Sequence, residues 1–278
     1  MIQIPCLNER EQLEATLRDL PRVLDGVDEI EVLIVDDGST DGTVEKAVEL
    51  GVHHVVRFAR TRGLAAAFTA GVDAALRVGA DVIVNTDADN QYRGRDIARL
   101  VEPILQGRAD VVVGDRGTDG LPHFSPFKRA MQRWGSRAVR AASATSVADA
   151  TSGFRAMGRR AAYRMFVHND FTYTLETIIH GGRSGLVFAN VPVETNETQR
   201  PSRLFSSMGQ YLRRNGPVIA RAYGMYRPVQ TFLGFALAFL FVGGALVGRF
   251  LLYFFRDPSR SGHAQSLVVG AMCVVLSF

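Results

Sequence analysis

The chain has 278 residues, 47% hydrophobic and 22% charged, with a formal net charge of +4. That length and apolar fraction suffice for a full α/β core with about fifty residues to spare. Two distant cysteines, Cys6 and Cys273, exclude a disulfide framework or a zinc-type spacing and fit reducing cytosol, and so mild a charge goes with no nucleic-acid partner.

In chain order, residues 2–5 read as a short strand closed by Pro5, with polar residues leading into a helix over 11–20. A dinucleotide-binding fold carries G-x-G-x-x-G at this place, and the motif is absent. Phosphates, if bound, need a counter-charge other than a Gly-rich loop. Within an expected strand at 31–35, residues 32–35 form an apolar run that fits a buried parallel strand, followed at once by Asp36, Asp37 and Gly38. Gly38 permits a sharp exit, and Ser39, Thr40 or Asp41 can cap a helix over 43–50. A carboxylate at the C-terminal edge of such a strand suits a ribose hydroxyl or a base N–H, since open α/β sheets bind ligands there. Ordinary strand-turn-helix chemistry would account for the same residues.

A third strand is expected at 53–58, where His53-His54 has no acidic neighbour in sequence and reads as structural, then a helix at 63–78. The most informative stretch is 80–92, ADVIVNTDADNQY, an apolar strand at 81–86 running into Asp87-Ala88-Asp89. Side chains alternate along a strand, so carboxylates two residues apart at its end point the same way. Their repulsion raises one pKa, and a divalent cation relieves it. Mg²⁺ or Mn²⁺ takes oxygen ligands, typically one or two carboxylates plus substrate phosphates. A pair of solvated surface aspartates is the plainer alternative. Two acidic strand ends in one α/β pattern favour a shared nucleotide site.

Beyond it come a helix at 94–106, a strand at 110–114, a loop at 117–127 with two prolines, and a basic helix at 126–142. Strands at 151–157 and 186–195 flank a helix at 171–180, near whose start Glu176 is left unassigned. Alternating β and α elements imply a mainly parallel sheet covered on both faces. Gln132-Arg133-Trp134 lacks the spacing of the Q-x-x-R-W signature of processive polysaccharide synthases.

The tail differs in kind. Residues 229–248 are apolar and uncharged over a length that spans the ~30 Å hydrocarbon core, and a soluble core helix that long would show a polar face. Arg249 and Arg256 would sit at the far interface. Residues 265–278 read as a second membrane helix cut short, and Met1 stands so close to the first strand that the natural amino terminus is expected to be very short or missing. Arg213, Arg214, Arg221 and Arg227 place the near side in the cytoplasm. Mixed apolar, aromatic and basic residues over 204–226 read as a helix in the membrane interface, kinked at Pro217, or as a soluble C-terminal helix.

PCLNE (5–9), VDDGSTD (35–41), DADNQ (87–91), GDR (114–116) and DATSGFR (149–155) occur in that order. Together they resemble a family 2 inverting glycosyltransferase of the GT-A fold, in particular the polyprenyl-phosphate sugar synthases. The resemblance implies an α/β domain with a mainly parallel sheet over 1–203, a juxtamembrane amphipathic helix over 204–228 and a multi-pass transmembrane region over 229–278. It implies nucleotide contacts from Pro5, Leu7, Glu9, Val35, Asp37, Asp87 and Ala88, and Mg²⁺ or Mn²⁺ on Asp87, Asp89 and Gln91. Asp89, Asp149 and Arg116 are the implied catalytic residues. Arg116, Lys128, Arg133, Arg200, Ser202 and Arg203 are the implied contacts to an acceptor phosphate. Leu7 replaces the tyrosine often found there, which leaves uridine against guanosine open. Residues 199–204, QRPSRL, resemble the family's acceptor loop without its usual glycine and with Arg203 where lysine is common.

The implied reaction moves one sugar from a GDP-mannose or UDP-glucose type donor to a polyprenyl phosphate, dolichyl or undecaprenyl, at the cytoplasmic membrane face. Its partners are that donor, the lipid and the membrane; a homo-oligomer is compatible with the sequence. A sugar hydroxyl acceptor would need a general base, and Asp149 stands where inverting members often place one. A phosphate monoester, with a second pKa near 6, is already charged at neutral pH and needs cations more than a base. Arg116, Lys128, Arg129, Arg133, Arg155, Arg200 and Arg203 supply them. Asp149 is then either a base or a cap or ion-pair partner of Arg155. The alternatives are the same fold with another acceptor, a glycan or lipid hydroxyl, and a catalytically silent nucleotide-binding membrane subunit.

Overall fold

The computed structural model describes residues 1–117, 140, 142–165, 167, 173–196, 216–217, 220–221, 224–225, 228–256 and 264–277. These fall into two compact units, 1–219 and 220–278.

In the first unit, β1 (Ile2–Cys6), β2 (Val32–Asp36), β3 (His54–Arg57) and β4 (Val82–Asn85) alternate with α1 (Arg10–Asp19), α2 (Thr43–Glu49) and α3 (Leu64–Arg77). After β4 come α4 (Ile97–Leu105), β5 (Val111–Asp115), β6 (Arg155–Gly158), α5 (Arg159–Arg164), α6 (Thr174–Arg183) and β7 (Phe188–Pro192). The seven strands form one sheet in the order β3-β2-β1-β4-β6-β5-β7. All neighbours pair in parallel except β6, which runs antiparallel to both β4 and β5. The sheet is therefore mainly parallel, as the alternation of elements implies. The apolar runs Ile2–Cys6 and Leu33–Val35 are buried throughout, as strands covered on both faces must be.

Strand order reverses between β1 and β4, and such a switch point opens a crevice at the C-terminal strand ends. The loops after β1, β2, β4 and β5 all leave at that edge, and antiparallel β6 starts there. Its antiparallel course delivers residues 149–154 to the same edge. The expected strand at 151–157 thus forms only over Arg155–Gly158, and the residues before it are a loop. The expected helix at 171–180 runs instead over Thr174–Arg183.

Local chemistry fixes the turns. Gly38 has φ +81°, and a Cβ there would lie 2.8 Å from backbone atoms of Arg60 and Thr61. Only glycine fits a left-handed turn so closely packed. Asn8, also left-handed (φ 54°), accepts from the Thr40 N–H at 2.9 Å, while its own N–H donates to Ser39 Oγ at 2.8 Å. These bonds tie the loop after β1 to the loop after β2. Asp41, not Ser39 or Thr40, accepts from the N–H that opens α2, Thr43 N, at 3.0 Å. His53 and His54 are structural: His53 Nδ1 accepts from Val32 N–H, and His54 lies 3.2 Å from Glu31.

The second unit holds α7 (Pro228–Arg256) and α8 (Ala264–Leu276). With 29 residues and a mean hydropathy of 2.1 over its most apolar window, α7 is long and apolar enough to cross a membrane. At 13 residues, α8 is too short to do so. The two helices meet backbone to backbone: a Cβ on Gly243 would lie 2.8 Å from Gly270 O, and one on Gly270 3.0 Å from Gly243 O. Most of the expected interfacial helix at 204–228 lies outside the described residues.

Candidate active site

β4 ends at Asn85, so Asp87 and Asp89 stand on the following turn rather than on the strand. Strand alternation does not bring them together; the turn does. Asp89 Oδ1 accepts from the Gln91 N–H at 3.1 Å, and Asn90 takes a left-handed φ of 54°. Thr16 Oγ1, on α1, donates to Ala88 O at 2.8 Å. Ala88 is buried and can offer a ligand little but its backbone.

Behind Asp87 lies Gly153 of the 149–155 motif. A Cβ there would sit 2.9 and 3.0 Å from the two Asp87 carboxylate oxygens and 3.1 Å from the Tyr173 hydroxyl. The carboxylate is thus packed against bare backbone. A buried polar network supports that backbone. Asn85 Nδ2 donates to Gly153 O (2.9 Å) and to Tyr173 Oη (2.8 Å), and Gln3 Nε2 donates to Asn85 Oδ1 (2.9 Å). Tyr173 stacks on Phe68 with ring centroids 3.8 Å apart, and Tyr92 stacks on Phe154 at 4.8 Å.

Electrostatics set the character of the site. Burial, then the like charge of Asp89, push Asp87 up to about 7, against the opposing pull of Arg116 and Arg155. Asp87 and Asp89 therefore share one environment. Burial and the Asp87 charge push Tyr92 up to about 12, so it stays a neutral hydroxyl. Two hard carboxylates in mutual repulsion suit a hard divalent cation. Among the described residues no group of three His, Cys, Asp or Glu side chains stands ready to hold a metal. The pair fits an ion that keeps most of its positions for substrate oxygens and water, as Mg²⁺ typically does.

Arg116 follows β5 at the same edge. Its Nε and Nη2 donate to Asp149 Oδ2 (2.6 Å) and Oδ1 (3.0 Å), and Nη2 also donates to Thr151 Oγ1 (2.8 Å). Burial alone would raise Asp149, but these bonds, the Arg116 charge and the Thr151 N–H hold it below the usual carboxylate range. Asp149 is thus an ion-pair partner, of Arg116 rather than Arg155. Arg155 is fully buried, donating to Thr174 O and Thr177 Oγ1 and to Ser152 O, and it stacks under Tyr173. It faces the interior and is not available to an acceptor.

The other expected nucleotide contacts divide. Asp37 accepts from Arg62 N–H (2.7 Å) and Gly63 N–H (3.0 Å), which fixes the turn into α3. Glu9 and Leu7 are half-buried at the end of β1, and Glu9 is near enough to raise Asp87. Pro5 is buried in β1. Val35 is fully buried with its side chain against α3 at Gly71, so only its backbone is left to a ligand. Lys128, Arg129, Arg133, Arg200, Ser202 and Arg203 lie outside the described residues.

Sequence reading missed Gly153, Tyr173, Asn85, Thr16 and Thr151. Gln3 and Asn85 were the available signal: amides inside otherwise apolar strands need buried partners.

A mainly parallel sheet with one antiparallel insertion, and acidic turns at its switch point, defines a GT-A type sugar-transferase domain. The chain belongs to glycosyl transferase family 2, whose family profile matches residues 1–166. It is a glycosyltransferase. The undecaprenyl-phosphate mannosyltransferase of Micrococcus luteus is 37% identical over 159 residues, 55% of this chain and 63% of that protein, so the chain spans under two thirds of that relative's length. The undecaprenyl-phosphate 4-deoxy-4-formamido-L-arabinose transferase of Pseudomonas fluorescens is 29% identical over 90% of this chain and 82% of its own. That coverage exceeds the first unit, so the likeness reaches into the apolar helices. Among solved structures, glucosyl-3-phosphoglycerate synthase of Mycobacterium tuberculosis, in complex with Mn²⁺, UDP-glucose and phosphoglyceric acid, superposes with a TM-score of 0.58 at 21% identity, covering 80% of this chain and 78% of that one. At that identity the likeness is one of fold.

Proposed function

We propose that the protein is anchored in a membrane by α7 and transfers a single sugar, with inversion, from a nucleoside-diphosphate sugar to a polyprenyl phosphate at the cytoplasmic face. The observation that carries this reading is the meeting, at one sheet edge, of the Asp87/Asp89 pair with a firmly charged, aimed guanidinium, Arg116. The names of the undecaprenyl-phosphate relatives and the length of α7 support it.

In this reading Pro5, Leu7, Glu9, Val35, Asp37 and Ala88 line the nucleotide side, with Asp37 presenting to the ribose or base the lone pairs its backbone bonds leave over. Asp87 and Asp89, with Gln91, would hold Mg²⁺ or Mn²⁺. Such an ion supplies a Lewis acid for the charge that grows on the departing diphosphate. Arg116 receives the acceptor phosphate, aided by Lys128, Arg133, Arg200, Ser202 and Arg203. One phosphate oxygen attacks the anomeric carbon, the bond from that carbon to the diphosphate oxygen breaks, and the nucleoside diphosphate leaves. At neutral pH the phosphate is already deprotonated, so no residue must take its proton. Asp149 then aims Arg116 rather than acting as base.

A radiolabelled-donor assay on membranes containing the full chain tests this, using extracted polyprenyl phosphate with GDP- and UDP-sugars and either ion. A chloroform-soluble, acid-labile product that disappears with EDTA is expected. Label passing only to a glycan or a lipid hydroxyl would overturn the acceptor, and transfer untouched by EDTA would overturn the metal.

A further inference from the structure

The turn that carries Asp87 and Asp89 is gripped from the far end of the domain. Past β7 the chain returns along it: Thr195 bridges to Tyr92, and Asn196 N–H donates to Gln91 O at 2.8 Å. The Asn196 side chain does the rest. Its Nδ2 donates to Asn90 O at 2.9 Å, and its Oδ1 accepts from Arg93 Nε at 3.2 Å. Arg93 and Arg95 both pair with Glu194, whose N–H donates to Asp96 Oδ2 at 2.9 Å. Thr16 holds Ala88 O from the opposite side. Three carbonyls of the turn, those of Ala88, Asn90 and Gln91, are therefore tied to elements more than seventy residues away in sequence. Among the described residues the Asp89 carbonyl carries no such tie, and its side chain accepts from the Gln91 N–H within the turn.

We propose that Asn196 is a positioning residue for cation binding, the clamp that fixes the left-handed turn at Asn90 and so aims Asp89 and Gln91 outward together. This deepens the reading above and rests on Asp89 being a cation ligand. Asn90 in the left-handed region is a conformation held by its surroundings. Removing the bond to its carbonyl frees the turn to relax, and outer partners of a metal ligand typically carry about 10- to 100-fold in affinity.

The full chain in detergent, titrated with Mn²⁺ alone and read by the loss of the free-ion electron-spin signal, provides the test. Asn196→Ala should weaken Mn²⁺ by at least about tenfold and speed amide exchange over residues 88–92, with the melting temperature close to that of the parent. Asn196→Leu fills similar space without a polar atom, so a loss shared by both variants belongs to the hydrogen bonds and not to a cavity. Asp89→Ala serves as the reference. If it abolishes Mn²⁺ binding while both Asn196 variants bind as the parent does, the clamp is wrong and the carboxylate reading stands. If Mn²⁺ binding survives Asp89→Ala, the carboxylate reading itself falls, and the clamp with it.

Discussion

The two halves of the sheet edge use charge differently. On the β3-β2-β1 side, carboxylates hold backbone: Asp37 takes the N–H groups of Arg62 and Gly63, Asp36 that of Ser39, Asp41 that of Thr43. On the β4-β6-β5 side, charged side chains face one another: Asp87 beside Asp89, Arg116 on Asp149. A carboxylate satisfied by backbone belongs to the fold, whereas paired or repelling side chains can exchange partners for a ligand. The first half should therefore answer substitution mainly in stability, with Asp37 also in the KM for the donor, and the second in rate.

The sharpest contrast is between Asp89→Ala and Asp37→Ala. Among the described residues Asp89 bonds only to the Gln91 N–H within its own turn, so its loss should leave the melting temperature nearly unchanged. Transfer should fall about 10³-fold, the several kcal/mol that a lost cation-held leaving group represents. Asp37→Ala removes two charge-assisted bonds and should cost about 3 kcal/mol. A calorimetric scan would then show a fall of roughly ten degrees, at two to four degrees per kcal/mol for a domain of this size. Equal melting temperatures for the two variants would erase the distinction.

Gly153→Ala probes the packing within the second half. The new Cβ would stand 2.9 and 3.0 Å from the Asp87 oxygens, and a carboxylate, unlike backbone, can swing away. The variant should fold and lose about 10²-fold in transfer through a misplaced ligand. Normal kcat and KM in this variant would mean that Asp87 tolerates displacement.

That contact also marks what the sequence could reveal. The strands β1 to β5 and helices α1 to α4 were legible because apolar runs, Gly38 and the alternation of elements are local signals. The acid pair was legible because charge at the end of an apolar run is conspicuous. The company around it was not. Gly153 meets Asp87, Asn196 meets Asn90 and Thr16 meets Ala88 across 66, 106 and 72 positions, which no local pattern encodes. Arg155 read as a cation for the acceptor phosphate because burial under Tyr173 depends on the antiparallel β6, and nothing in the motif announces strand direction.

Asp149→Asn separates two roles for one residue. A general base typically carries 10²–10⁴-fold, whereas an aiming partner of Arg116 should carry less. With polyprenyl phosphate as acceptor, kcat is expected to fall by under about tenfold, with most of the effect in the KM for the acceptor, because the amide still accepts one of the two Arg116 bonds. A drop in kcat beyond about 10²-fold, with the acidic limb of the pH–rate profile removed, would restore Asp149 as base.

The smallest effect is a matter of pH. Asp87 stands at about 7 in the folded chain against 3.8 for an ordinary aspartate, so folding tightens its hold on a proton. The stability it contributes is complete below about pH 4 and is lost as pH rises through about 7, when the folded chain must carry two facing charges. Cation binding has the opposite sign, since it requires the deprotonated pair. The rise in melting temperature produced by a fixed Mn²⁺ concentration should therefore grow as pH climbs toward 7 and level off above it, with the apparent affinity changing about tenfold per pH unit on the acid side. Asp87→Asn should flatten both trends, because the proton and the ion then have no common group for which to compete. A Mn²⁺-induced rise that is equal on the two sides of neutrality would place the competing proton elsewhere and leave the raised carboxyl as a feature of packing against Gly153 alone.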